Sequence, residues 1–258
     1  MIKDESDAKT ILNRLGKLSA FLKDLDTNAS TDDCFDVPRS ILEQQGKTVT
    51  SSITTSIVRD SRNDRWSPRM GSNSKLSVEL AGFGGDAKFI GLIASSAKYF
   101  PLPLDTAFMV RGEIGQLFEA GEDIPIGEKF FLGGLDSLRG FESRSVGPME
   151  KEYGDRDKPD DEADWDVVGG EKELFFNFEF LFPIMPGSGV RGVVFYDIGN
   201  AYETNDDFFS NLRSDAGVGI NWYSPFGPLR LVWAVNLDPK DKYDEDSSNF
   251  EFSMGQMF

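Results

Sequence analysis

Histidine is absent from this 258-residue sequence, and cysteine occurs once, at Cys34. Without an imidazole the chain lacks the base on which most hydrolytic and acyl-transfer sites depend near neutral pH, and no Ser–Lys pair or metal-ligand cluster stands in for it. Neither an enzyme nor a cofactor is expected. A lone cysteine cannot close an internal disulfide. Positive charge is also scarce: 27 Lys and Arg face 44 Asp and Glu, for a net charge of −17 and a pI near 4.4. That balance excludes a phosphate-backbone partner, so nucleic acid is not expected. No run of 18 apolar residues exists, which rules out a transmembrane helix. The opening MIKDESDAKT lacks the charged-then-apolar layout of a signal peptide.

What the sequence does have is phenylalanine, 22 of them, in a chain that is 39% hydrophobic. Residues 4–26 show Ala8, Ile11, Leu12, Leu15, Leu18, Leu22 and Leu25 at three- and four-residue steps, the period of an amphipathic helix. From Thr48 onward the period becomes two. Lys75–Leu80 and Ala107–Ile114 alternate, and Leu174, Phe176, Phe178, Phe180 and Phe182 point one way while Asn177 and Glu179 point the other. Val194, Tyr196 and Ile198 oppose Arg191 and Asp197; Val218, Ile220 and Trp222 oppose Asp215 and Asn221; Leu229, Leu231 and Trp233 oppose Arg230. The last such segment sets Phe250, Phe252, Met254 and the terminal Phe258 against Glu251 and Ser253.

A soluble sandwich also alternates, but its strands average about 5–6 residues and its outward residues are polar. Several segments here run to about ten residues, the length that crosses a bilayer at a tilt, with one face for lipid and one for a lumen. Short Pro/Gly turns near 63–71, 101–105, 183–189 and 224–228 alternate with longer, mostly acidic connections at 119–170, 200–210 and 238–248, apart from a tight Gly84-Gly85-Asp86 link. Short turns at one end and long loops at the other describe an outer-membrane barrel. Trp66, Tyr99, Trp222, Tyr223 and Trp233 are expected in the aromatic girdles. The acidic run from Glu150 to Asp166 lacks the glycine spacing of an EF-hand and reads as a solvated loop.

The stretch FFLGGLDSLRGFESRSVGP, Phe130–Pro148, fits none of these strands. Gly133, Gly134 and Gly140 permit tight or left-handed backbone, and Arg139 sits between Leu138 and Phe141. An arginine in apolar company is costly to bury unless carboxylates meet it with good geometry.

This segment resembles the signature of the BamA-type outer-membrane assembly factors, the bacterial surface antigen family. So do SSITTSIVRDSRNDRWSPRMGS, KYFPL, FNFEFLFPI, GVRGVVFYDIGNAYE, LRSDAGVGINWYSPFGPLRLVWA and the final FEFSMGQMF, in the family's order over residues 37–258. The resemblance implies a barrel in the outer membrane whose sixth long loop folds back into the lumen. There Arg139 would be held by Glu179 and Asp197 on the next two strands, a structural latch and not a catalytic group. Alternation independently puts both carboxylates on the polar face. The loop motif comprises Gly133, Gly134, Leu138, Gly140 and Phe141; Phe250, Phe252, Met254 and Phe258 form the C-terminal barrel signal.

The resulting expectation is an all-β, antiparallel transmembrane β-barrel portion of about nine strands over 48–258, preceded at 1–47 by a helix-containing extracellular loop segment. It corresponds to the C-terminal half of the family's barrel. The first strands and the periplasmic POTRA repeats have no counterpart in the sequence, so a segment of a longer chain is expected ahead of closure by two copies. The resemblance implies assembly and insertion of nascent outer-membrane proteins, with the membrane's lipid and accessory lipoproteins as partners. A two-partner-secretion or TamA-type translocation barrel, or a truncated fragment without function, stays open at this point.

Overall fold

A computed structural model describes residues 37–255 apart from 122, 156–157, 161, 186, 225–226, 241–242 and 244. The helix expected over 4–26, Cys34 and the terminal Phe258 lie outside the described residues. Of the 1–47 segment, the described part carries one short helix, α1 (Arg39–Glu43).

Among the described residues the period-two stretches become nine strands of a single antiparallel sheet. In chain order these are β1 (Ser52–Asp60), β2 (Gly71–Ala81), β3 (Phe89–Pro101) and β4 (Ala107–Glu119). After two three-residue strands, β5 (Met149–Lys151) and β6 (Trp165–Val167), come β7 (Lys172–Met185), β8 (Val190–Tyr202), β9 (Arg213–Ser224), β10 (Gly227–Asn236) and β11 (Ser248–Met254). The order across the sheet is β1-β2-β3-β4-β7-β8-β9-β10-β11. Every neighbour in it follows the last in sequence, except where β5 and β6 pair with each other inside the long loop. The sheet does not close: among the described residues, β1 pairs with β2 alone and β11 with β10 alone.

The two faces differ as lipid and lumen would require. Phe180 is 40% exposed, Val218 49%, Trp233 50% and Phe250 61%, all on the outer face. Their in-between neighbours on the inner face are buried: Asn177, Arg191, Asp197, Arg213 and Asp215. Exposed apolar and buried polar side chains on alternate residues invert the pattern of a water-soluble sheet. β4, β7 and β8 are 13 to 14 residues long, enough at about 3.4 Å per residue to span a bilayer at a tilt.

The inner face is less uniformly polar than the alternation suggests. Ala107, Met109, Leu181, Val193, Phe195, Val232 and Ala234 form a buried apolar floor, with Leu135 of the long loop packed onto it. The loop's Leu132, Leu138, Phe141 and Val146 form a second cluster with Phe175 and Ala201 of the wall. Burying each such Leu or Phe contributes roughly 1.5–3 kcal/mol, so the 120–171 connection is seated by its own apolar side chains.

Two expectations need correction. Tyr99 and Tyr223 face the inner cavity and do not join an outer girdle; Tyr99 packs on the apolar floor. They follow the inward parity of their strands, which outranks the preference of tyrosine for an interface. The acidic run 150–166 is not a plain solvated loop either. β5 and β6 pair through Met149–Val167, Glu150–Asp166 and Lys151–Trp165, and between them in sequence Asp155 is buried and accepts the Asp164 N–H at 3.0 Å.

Candidate functional site

The loop enters the inner face through a narrow neck. Phe130 and Gly170 exchange two backbone hydrogen bonds, 2.8 and 2.9 Å, and Leu132 and Val146 exchange two more, 2.9 and 3.0 Å. Beyond the neck the chain must reverse twice. Gly133 and Gly134 adopt φ of +106° and +92°, backbone that L side chains rarely reach. At Gly133 an added Cβ would lie 2.1 Å from the Glu142 carbonyl oxygen. The Gly134 N–H then donates to the carbonyls of Leu138 and Phe141, each at 3.0 Å, closing the small lobe that presents Arg139.

Arg139 is 2% exposed, Asp197 fully buried, and the Glu179 side chain 12% exposed. Arg139 Nε and Nη2 donate to the two oxygens of Asp197, both at 2.7 Å, and Nη1 donates to Glu179 Oε1 at 2.5 Å. The Arg139 backbone N–H also donates to Asp197 Oδ2 at 3.3 Å. Below the guanidinium plane lies the Phe195 ring, its centroid 3.6 Å from Cζ. Burial alone would pull the Arg139 pKa down, but Glu179 and Asp197 more than reverse this and raise it. The two carboxylates belong to adjacent strands, β7 and β8, so the arginine bridges one strand interface.

The sequence points to these three residues but not to those around them. Asn177 Nδ2 donates to Asp197 Oδ1 at 2.9 Å and to the Ser137 carbonyl at 2.7 Å. Asp197 therefore accepts four hydrogen bonds, the full complement of a carboxylate. Arg111 on β4 and Arg230 on β10 hold the loop backbone through the Asp136 and Leu135 carbonyls, at 2.9 and 3.3 Å. Asp215 lies opposite Asp197 in register, fully buried. The loop comes so close there that a Cβ on Gly140 would sit 2.4 Å from Asp215 Cβ. Asn249 on β11 donates to the carbonyls of Arg139 and Phe141. Inward parity was the available signal: Asn177 shares a face with Glu179, and Asn249 shares one with Glu251.

Leu138 and Phe141 flank the arginine from the buried cluster. Phe250, Phe252 and Met254 stand apart from it, 59–67% exposed on the outer face of β11. Beneath the loop remains a cavity of about 550 Å³, lined among others by Arg62, Tyr99, Glu179, Arg191, Tyr223 and Arg230. At its turn end Arg191 donates to Ser67 Oγ at 3.0 Å and to the Asp105 carbonyl at 2.7 Å, tying the β1–β2 and β3–β4 turns across the sheet. In the β5–β6 lobe, Glu152, Asp155 and Asp164 bring carboxylate oxygens within 4.8 Å of one another. The Lys158 ammonium, 2.6 Å from Asp155, already supplies positive charge there.

With this geometry in view, the comparisons with known proteins are specific. The Omp85 superfamily domain matches residues 11–258. The outer membrane protein assembly factor BamA of Nitratidesulfovibrio vulgaris is 32% identical over 228 residues, covering 86% of this chain and 27% of that protein. The mouse sorting and assembly machinery component 50 homolog is 32% identical over 160 residues, covering 60% of this chain and 31% of that protein. The chain thus spans between a quarter and a third of the length of these curated relatives. Among solved structures, BamA from Haemophilus ducreyi lacking POTRA domains 1–3 superposes with a TM-score of 0.65 at 23% identity, over 77% of this chain and 41% of that one. This last likeness concerns the fold alone. Nine antiparallel strands with an apolar outer face, a loop seated on the inner one, and a domain match over nearly the whole sequence lead to one placement: the chain belongs to the Omp85 superfamily of outer-membrane β-barrel proteins.

Proposed function

We propose that this chain is the loop-bearing, last-strand part of a barrel that assembles other β-barrel proteins into the outer membrane. Arg139, Glu179 and Asp197 act in it as a latch that keeps the long loop on the inner face. The observation that carries the reading is the fork of Arg139 between two adjacent strands of a sheet whose last strand, β11, pairs among the described residues with β10 alone. A latched loop makes the wall from β7 to β10 a rigid template. The open edge of β11 offers the row of N–H and C=O groups that an incoming strand can pair with.

Such a role needs no catalytic group, only an edge whose hydrogen bonds can be exchanged in a bilayer where an unpaired one costs several kcal/mol. The partners would be nascent outer-membrane strands, the surrounding lipid, the remaining strands and POTRA repeats of a full barrel, and accessory lipoproteins. The relatives' names speak of outer-membrane protein assembly and of a sorting and assembly machinery, which supports this reading over a translocation barrel.

The test is a hybrid in which residues 37–258 replace the matching segment of a full-length relative, with a photo-crosslinking amino acid at Ser253. Cross-links to newly made outer-membrane proteins are expected. Their absence, with the hybrid present and folded in the membrane, would overturn the proposal.

A further inference from the structure

One tripeptide of the loop touches five successive strands. The Arg139 side chain reaches β7 and β8 through Glu179 and Asp197. Gly140 lies against Asp215 of β9 and the Val235 backbone of β10, leaving no room for a side chain. The carbonyls of Arg139 and Phe141 are both taken by Asn249 Nδ2 of β11, at 3.2 and 2.9 Å. The first four contacts bear on strands paired along both edges. The fifth bears on a strand of seven residues that has, among the described residues, one neighbour.

β11 is the strand with least to hold it. It pairs with β10 from Val235↔Ser248 to Leu229↔Met254 and, among the described residues, with no second strand. On its outer face Phe250, Phe252 and Met254 stand 59–67% exposed, opposite Trp233, Leu231 and Leu229 of β10. On the inner face, Ser253 and Glu251 lie toward the turn end, and Asn249 sits where β11 begins. Its amide also reaches Glu251 Oε1 at 3.3 Å, which orients it. Two donated bonds to buried backbone carbonyls, each worth about 1 kcal/mol net, are a large share of what fastens the start of so short an edge strand.

We infer that Asn249 is a positioning residue that couples the seat of the loop to the start of β11, so that release of the loop and fraying of the edge strand are one event. Unseating Arg139 withdraws the carbonyls that Asn249 grips; peeling β11 away removes the donor that holds the loop backbone flat on β9 and β10. Under the assembly reading, on which its biological meaning rests, an incoming strand that displaces the start of β11 would loosen the loop, and a loop already loosened would open the edge.

The coupling itself is tested without any assembly assay, so its failure and the failure of that reading are separable. Amide hydrogen exchange is followed in the membrane-embedded hybrid for residues 132–146 and 248–252, with residues 52–60 as control. Arg139→Ala is expected to speed exchange in β11 about tenfold, and Asn249→Ala to speed exchange in the loop to a similar degree. The double variant should exchange no faster than the faster single one, and 52–60 should not change. Effects confined to the mutated element, or fully multiplicative effects in the double variant, would overturn the inference. If Asn249→Ala also loosens β7 and β8, Asn249→Gln decides. Its longer amide should restore protection to loop and strand together, and restoration of β11 alone would count against the coupling.

Discussion

Arg139 and Asp197, 58 residues apart in sequence, meet through two side-chain hydrogen bonds of 2.7 Å and a third from the arginine's own backbone N–H. A pair of this kind is fixed in orientation as well as in charge, because a planar fork meets a planar carboxylate. It is also shielded from water, so its loss is not softened by solvent.

Replacing Arg139 by alanine leaves Asp197 and Glu179 without their cation, a change that typically costs about 3–5 kcal/mol. The heat-resistant, fast-migrating form of the hybrid on unheated gels should then be lost at a clearly lower temperature. Arg139→Lys should fall between, since an ammonium keeps the charge but cannot span both carboxylates as a fork does.

Glu179 and Asp197 share one partner, so their effects should not add. Glu179→Gln and Asp197→Asn, alone and together, are expected to show a coupling energy of about 0.5–3 kcal/mol. Asp197→Asn should be the costlier single change, because Asp197 accepts four hydrogen bonds including that of Asn177. Additivity within error would mean that the three residues do not act as a unit.

Gly140→Ala places a methyl group 2.4 Å from Asp215 Cβ. Overpacking of this sort costs about 1–3 kcal/mol, and proteolysis of the 132–146 lobe should become faster. Asp215→Gly in the same chain removes the opposing atoms and should restore part of the protection.

How much of this was legible in the sequence follows from what each element faces. The sheet strands were, because lipid on one side and a lumen on the other force a strict period of two over Leu174–Phe182 or Val218–Trp222. Glu179 and Asp197 fell on the inner side by the same count, and the structure sets both within reach of Arg139. The opposition of Asp215 to Asp197 was not legible, since register between strands depends on turn geometry and not on parity alone. Nor was the β5–β6 ribbon, whose three-residue strands are too short to show a period and carry charge on both faces. For Asn249 parity gives only the inward face it shares with Glu251; its partners are loop carbonyls, which no pattern within β11 can show.

Outside the strands, the 237–247 loop carries an acid-sensitive clasp. Glu245 accepts two bonds from Arg213, at 2.8 and 2.5 Å, and the Lys240 N–H at 3.0 Å. Burial works against its charge, but Arg213 and the Lys240 amide prevail and hold its pKa below the ordinary glutamate value. A lowered folded-state pKa gives stability that is present above the unfolded value, about 4.3, and is lost as pH falls through the folded one. Proteolysis of 237–247 should therefore stay slow from pH 7 to about 5 and quicken below about 4. Glu245→Gln should be cut quickly throughout and lose that pH dependence.

The most direct test of the central claim is to reconstitute the hybrid carrying residues 37–258 into lipid vesicles and follow folding of an unfolded outer-membrane β-barrel protein added from outside. The expected result is folding well above that in empty vesicles, reduced by Arg139→Ala and by Asp197→Asn alike. Folding no faster than in empty vesicles, from a hybrid that migrates as a folded barrel, would contradict the assembly role. Folding that is fast and indifferent to both substitutions would contradict the latch.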